Sequence, residues 1–114
     1  MMEPRLRSEL IVTALRRRAE AEGGFGAVLA RGDSISGAIL VVVAEKGRKA
    51  RILERVLDLD GGYKWRDIAG QAVQNDEEVS LFLARRRKFD PDLWLIELDV
   101  PSAERFTSEM NDSV

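Results

Sequence analysis

The chain has 114 residues and a mass of 12.8 kDa, which is enough sequence for one domain and too little for a second one with its own core. Its apolar content of 45% and charged content of 33% are typical of a soluble globular protein, and its net charge of −2 gives no general attraction for polyanions. Because the chain contains neither cysteine nor histidine, disulfides, thiolate and imidazole metal sites, cysteine nucleophiles and Ser-His-Asp triads are excluded.

The first predicted element is a helix over residues 4–22. Apolar side chains recur at helical spacing through this segment, and Arg16 and Glu20 are an oppositely charged pair four residues apart. Gly23 and Gly24 then provide the left-handed conformation that commonly ends a helix.

Four strands are predicted next. Residues 25–30 form a short strand, and residues 38–44, with the sequence AILVVVA, form one whose two apolar faces suit the centre of a sheet. Residues 50–59 have apolar spacing that a helix also shows, but their position between two turns favours a strand. A turn at residues 60–62 is followed by a return strand over residues 63–66.

The C-terminal half begins with a second predicted helix. Asn75 can cap its N-terminus, Glu78 stands three residues later as in a capping box, and the helix must end before Pro91. Residues 92–100 then form a strand with one fully apolar face. Residues 101–106 are expected to make one terminal turn.

These elements, in the order α-β-β-β-β-α-β, predict an α+β fold. We expect a single domain over residues 1–106, built as an antiparallel sheet of about five strands in meander order, with two helices packed on one face. Residues 107–114 are expected to form a frayed tail.

Charge is unevenly distributed along the chain, with +4 in residues 46–66 and −6 in residues 90–114. Four consecutive cations at the end of the second helix add to the basic hairpin and indicate, as one alternative, a surface for nucleic acid or another polyanion. The more ordinary explanation is that these cations complement the helix dipole and pair with nearby acids, since consecutive helix positions point about 100° apart. The residues of the polyanion hypothesis are Lys46, Arg48, Lys49, Arg51, Arg55, Lys64, Arg66, Arg85, Arg86, Arg87 and Lys88.

Aromatic residues of the return strand provide a further candidate contact. Strand alternation places Tyr63 and Trp65 on one face and Lys64 and Arg66 on the other. Trp94 lies on the apolar face of its strand and is expected in the core. Trp65, flanked by two cations, is predicted to be the exposed tryptophan and the best single contact residue.

Carboxylates are the remaining groups that could support metal binding or catalysis. The candidates are Asp90, Asp92, Glu97 and Asp99, but their spacing matches no known metal loop, and a solvated strand face beside arginines explains them equally well. A partial calcium-loop pattern beginning at Asp58 fails, because its twelfth position is an alanine. We therefore expect no catalytic, cofactor-binding or metal-binding residues.

Several stretches are distinctive as a set: GFGAVLARGD at residues 24–33, residues 36–38, residues 54–55, RRRKFDPDLWLIELD at residues 85–99, and residues 104–106. Together they resemble a small family of uncharacterised alphaproteobacterial proteins, over most of the chain from the first helix to residue 106. The resemblance implies a stand-alone bacterial cytoplasmic domain. It carries over no activity, cofactor or catalytic residue.

Three functional hypotheses follow. The first is a small non-catalytic binding or adaptor module that contacts another protein or itself, because a basic hairpin and an acidic C-terminal quarter suit association, including homo-oligomers. The second is nucleic-acid or other polyanion binding, and the third is a carboxylate-based enzyme. No uncharged run approaches the roughly 20 residues needed to cross a bilayer and no signal-peptide pattern is present, so we expect a cytoplasmic protein without membrane association.

Overall fold

The structure is a computed structural model that describes residues 7–68 and 75–112. The start of the predicted first helix, the alanine at position 69 and the last two residues of the predicted tail lie outside these ranges. No helix within them is long and apolar enough to span a membrane. The elements are α1 (Ser8–Ala21), β1 (Phe25–Ala30), β2 (Ile39–Glu45), β3 (Arg48–Leu57), β4 (Tyr63–Asp67), α2 (Asp76–Phe89), β5 (Trp94–Val100) and α3 (Ala103–Asp112).

The five strands form one mixed sheet in the order β1-β5-β2-β3-β4. β5 is antiparallel to β1 and parallel to β2, so that Ile96 lies opposite Val28 on one side and Val41 on the other. The α+β class, the single domain and the five strands are confirmed, but the antiparallel meander is wrong. The two most buried strands, β2 and β5, take the centre of the sheet, where both of their faces are covered, and β1 and β4 become the edges.

Helices cover both faces of the sheet. α1 and α3 pack on one face, where Phe106 shares a core with Val41; we call it the α1/α3 face. α2 packs on the opposite face, where Val79 shares a second core with Leu40; we call it the α2 face. The prediction that the helices lie on one face is therefore wrong, because residues 39–44 of β2 are at most 1% exposed and need apolar cover on both sides.

The third helix replaces the single turn expected at residues 101–106 and the frayed chain expected beyond it. α3 continues to Asp112, and its inward side carries Ala103, Phe106 and Met110, none of them more than 3% exposed. Residues 103–112 are therefore part of the core and belong to the domain.

Several local signals act as predicted. Gly23 takes a positive φ of 89° directly after α1, as expected for a glycine that ends a helix. The side chain of Asn75 accepts hydrogen bonds from the backbone N–H groups of Glu77 and Glu78, which caps α2. Residues 50–59, whose apolar spacing is also compatible with a helix, fall largely within β3, so the strand predicted from the flanking turns is confirmed.

Candidate functional site

The four consecutive cations at the end of α2 do not form one patch. Arg86 makes an ion pair with Glu54 of β3, and Arg87 Nη1 donates to the main-chain oxygen of Leu93 at 3.0 Å. The first and last cations of the run are exposed. Two of the four side chains therefore bond to other parts of the protein and two extend into solvent, because consecutive positions on a helix point in different directions.

β4 divides the three predicted contact residues between the two faces of the sheet. Lys64 and Arg66 lie on the α2 face, where Arg66 is the cross-strand partner of Glu54. Trp65 lies on the α1/α3 face, where it is half-buried against the core. The prediction that Trp65 is exposed is wrong, because α3 extends well beyond the single turn expected at residues 101–106, packs beside β4 and binds its backbone through Asn111.

Acidic side chains pair with three of the hairpin cations, Lys49, Arg51 and Lys64. The hydrogen bond from Lys64 holds the pKa of the Asp58 carboxyl below its ordinary value, and the same bond raises the pKa of Lys64. Cations in such pairs contribute less to the attraction of a polyanion. The ion pairs are Lys49 with Asp76 and Glu97, Arg51 with Asp67, and Lys64 with Asp58, with nitrogen–oxygen distances of 2.8 to 3.9 Å.

The candidate catalytic carboxylates are spread along β5, with two before the strand, Glu97 at its middle and Asp99 near its end. Asp90 and Asp92 precede the strand, where Asp90 accepts a hydrogen bond from the Asp92 N–H at 3.2 Å. Glu97 pairs with a lysine, and Asp99 accepts from the Gly47 N–H at 2.9 Å. Within the described part of the chain, no three acidic side chains come together as a metal site.

A cleft of about 300 Å³ opens between the N-terminus of α1 and the β3–β4 hairpin. Ser8 lies at its base and donates through its hydroxyl to the Gly37 carbonyl at 2.6 Å. On the hairpin side the guanidinium of Arg55 stacks 3.8 Å above the ring of Tyr63. The cleft is large enough for a small polar group, and the exposed side chain of Ile35 forms part of its rim.

The outer edge of β1 is the second surface with binding capacity. Among the described residues, no strand pairs with this edge. The backbone N–H of Trp94 donates to the carbonyl of Ala38, the residue before β2, so the peptide groups of Trp94 point towards β2. Because successive residues of a strand point their peptide groups to opposite sides, those of Leu95, Glu97 and Asp99 point towards β1. Their register partners on β1 point back at β5, and the peptide groups of Gly26 and Val28 consequently point outward.

The α1/α3 side of this edge is closely packed, whereas the α2 side is open. A Cβ atom at Gly26 would lie only 2.8 Å from Cγ of Arg16, whose Nε donates to the Gly26 carbonyl at 3.3 Å. On the other side Phe25 is 55% exposed, and Leu29, the residue at which the β1 bulge interrupts the register with β5, is 49% exposed. β1 contains no charged residue, so its edge combines outward-pointing peptide groups, of which the Gly26 carbonyl already accepts from Arg16, with large apolar side chains.

The opposite edge of the sheet is protected. β4 is only five residues long and carries Lys64, Arg66 and Asp67. The side-chain amide of Asn111 occupies the outward peptide groups of Trp65. Proteins commonly protect edge strands by charge, shortness, bulges and covering groups. β4 has charge, shortness and a covering group, whereas β1 has a bulge at Leu29 and the Arg16 contact at Gly26 but no charged residue of its own.

Sequence reasoning did not identify the β1 edge as a candidate site. The uncharged FGAVLA segment was the available signal, because edge strands ordinarily carry charge. It was missed because a strand reveals its edge position only through its pairing partners.

Comparison with known proteins places the chain among proteins of similar length. A family model described as a protein of unknown function (DUF1491) matches residues 6–108. The crystal structure of a DUF1491 family protein from Caulobacter crescentus is 29% identical, with a TM-score of 0.74, over 90% of this chain and 94% of the other. A solution structure of a protein from A. tumefaciens is 30% identical, with a TM-score of 0.70, over 90% and 92%. No curated protein matches the chain.

Proposed function

The chain belongs to the DUF1491 family of proteins of unknown function, and from that premise we propose that it is a small, non-catalytic, cytoplasmic binding module that takes up a protein strand at its β1 edge. The expectation of an uncharacterised family agrees with this membership, and structural relatives come from Caulobacter and Agrobacterium. The proposed mode of binding is strand addition, in which the peptide groups of a partner extend the sheet.

The observation that carries the proposal is the outward direction of the Gly26 and Val28 peptide groups in a strand without charged side chains. Each of these residues offers one N–H donor and one carbonyl acceptor to a neighbouring strand. A partner strand would also cover Phe25 and Leu29, which otherwise remain half-exposed to water.

Polyanion binding through Lys64, Arg66 and the Arg85–Lys88 run stays a prediction with less support. The ion pair of Arg86 with Glu54 and that of Lys64 with Asp58 engage two of these cations with acids. Trp65, the proposed stacking residue, lies on the opposite face of the sheet from Lys64 and Arg66. A polyanion would therefore meet the cations without the aromatic platform.

Photo-crosslinking in the cells that naturally produce the protein tests the proposal. The photoreactive residue p-benzoylphenylalanine replaces Phe25 in one variant and Leu81 of α2 in a matched control, since these side chains are 55% and 56% exposed. We expect a protein adduct from position 25 that exceeds the adduct from position 81. Adducts are identified by mass spectrometry.

Second-site changes at Val28 show whether the adduct depends on strand pairing. Val28→Pro removes the outward N–H, whereas Val28→Ala shortens the same side chain and keeps the N–H. We expect the adduct to disappear in the proline variant and to persist in the alanine variant. An adduct at position 25 no stronger than at position 81, or one unaffected by proline, contradicts strand addition.

A further inference from the structure

The β1 edge is complementary to itself, and we infer that its partner is a second copy of this chain, paired antiparallel about a two-fold axis at Ala27. The inference rests on the proposed function, because it names the occupant of the same edge. It predicts a homodimer in which two five-stranded sheets join into one continuous sheet.

The hydrogen-bond pattern of the edge permits this register. A two-fold axis at Ala27 places Gly26 opposite Val28 of the second copy and Val28 opposite Gly26. Both residues direct their peptide groups outward, so the two pairs exchange four N–H to carbonyl hydrogen bonds. The Gly26 carbonyl keeps its bond from Arg16, because a carbonyl oxygen has two lone pairs.

The same axis brings the exposed apolar side chains together. Phe25 of each copy lies opposite Leu29 of the other. Leu29 lies in the β1 bulge, which changes the regular spacing, but an aromatic side chain also reaches diagonal neighbours, so Phe25 and Leu29 can make contact. Because the strand contains no charged residue, the pairing removes no charged side chain of β1 from water.

Charges at the two ends of β1 favour an antiparallel arrangement. Glu22 precedes the strand, and Arg31, whose guanidinium lies 5.3 Å from the centre of the Trp94 ring, follows it. An antiparallel pairing centred on Ala27 directs the Arg31 end of one strand towards the Glu22 end of the strand of the other copy. A parallel arrangement would place Arg31 beside Arg31, so opposite charges meet only in the antiparallel dimer.

Sedimentation velocity of the full-length protein over the low- to high-micromolar range tests the dimer. We expect the wild type to reach twice the 12.8 kDa monomer mass as concentration rises. Leu29→Lys places a charge at the joint of the two sheets and is expected to leave a monomer. Leu81→Lys is the matched control, since Leu81 is 56% exposed compared with 49% for Leu29, and it is expected to remain a dimer.

Amide hydrogen exchange provides a second measurement that depends on the wild-type protein alone. We expect exchange at the Gly26 and Val28 amides to slow by at least about tenfold between the monomeric and dimeric concentration ranges, because both N–H groups become bonded. A wild type that stays monomeric throughout, or a dimer that Leu29→Lys leaves intact, overturns self-pairing.

The two proposals fail in distinguishable ways. A monomeric wild type whose position-25 adduct contains a different protein overturns the self-pairing and leaves strand addition as the function. A monomeric wild type without a specific adduct at position 25 overturns both. A concentration-dependent dimer whose position-25 adduct is the chain itself supports both.

Discussion

The side-chain amide of Asn111 binds both backbone polar groups of Trp65. Its Oδ1 accepts the Trp65 N–H at 2.8 Å, and its Nδ2 donates to the Trp65 carbonyl at 3.1 Å. One side chain of α3 thus reproduces the bonding of a neighbouring strand at one position of the β4 edge. The contact also attaches the last helix of the chain to the last strand of the hairpin.

Removal of this amide is expected to destabilise the domain. Asn111→Ala should lower the free energy of unfolding by about 1 kcal/mol, because two hydrogen bonds in a solvent-accessible position are lost. Urea denaturation followed by circular dichroism measures the change. Asp112→Ala, at the adjoining position in α3, is the control and should alter stability by less than about 0.5 kcal/mol.

The burial of Met110 gives a prediction about the C-terminus. Met110 is 2% exposed, so Met110→Ala should cost about 2–4 kcal/mol through lost apolar burial and the cavity left behind. Urea denaturation again provides the measurement. Ser108→Ala changes an exposed residue of the same helix and should be nearly neutral. A neutral effect of Met110→Ala would show that the helix does not dock in solution.

The ion pair between Arg86 and Glu54 links α2 to β3. The side chain of Glu54 is 19% exposed and that of Arg86 is 36% exposed, so Arg86→Ala should cost about 1–2 kcal/mol by leaving a partly buried carboxylate without this partner. Arg85→Ala removes an exposed neighbour and should cost less than about 0.5 kcal/mol. The double variant with Glu54→Leu and Arg86→Leu should be more stable than the sum of the single changes indicates. Additive losses in that cycle would contradict direct coupling.

The loop between β1 and β2 depends on an ionised Asp33. Hydrogen bonds from the backbone N–H of Ser36, then from its hydroxyl and from the Ile35 N–H, hold the pKa of the Asp33 carboxyl below its ordinary value of 3.8. A lowered pKa in the folded state adds stability above the ordinary pKa, and this stability is lost as pH falls through the lower folded value.

Asp33→Ala should therefore be less stable than the wild type near neutral pH, and the difference should shrink as pH falls below 3.8. Ser36→Ala keeps both backbone bonds to the carboxylate and should show a smaller difference. Urea denaturation at a series of pH values tests this, together with an NMR titration of the Asp33 side chain. A stability difference independent of pH would contradict the role of the carboxylate.

Nucleic-acid affinity is expected to be weak and only slightly salt-dependent. Arg86 is occupied by Glu54, so within the Arg85–Lys88 run the exposed Arg85 and Lys88 should account for most of the phosphate contact. Two contacts from this run contribute about −2 to the slope of log affinity against log salt concentration for duplex DNA. Fluorescence anisotropy with a labelled duplex measures this slope, and Arg85→Ala should weaken binding more than Arg86→Ala. A slope of about −6 or steeper would revive the polyanion hypothesis.

Local chemistry determined how far the sequence could predict the fold. The Asn75 cap, the positive φ of Gly23 and the alternation of Trp65 with its charged neighbours depend on residues close together in the chain, and each was predictable. Strand pairing was not, because a period of two residues reports which faces are apolar and does not report which strand lies alongside.

The error at Trp65 has the same origin. Trp65 is half-buried by α3, which lies about 40 residues later in the chain. The helical spacing of Ala103, Phe106 and Met110 was not recognised, because acidic and polar residues surround these three positions in the sequence. The β1 edge could not be identified as a site until β5 was placed beside it. The sequence gives the position of each charged residue along the chain, but only the folded structure shows which cations have acidic partners.

The insertion of β5 between β1 and β2 also governs how the protein can fold during its own synthesis. Ile39 pairs with Trp94, which leaves the ribosome roughly 3–10 seconds later at ordinary elongation rates. Throughout that interval β2 has no neighbour on one side, and its apolar faces lack their final cover. The sheet is therefore completed at its centre only after β5 has emerged, and a nascent chain that ends before β5 is the form with most need of a chaperone.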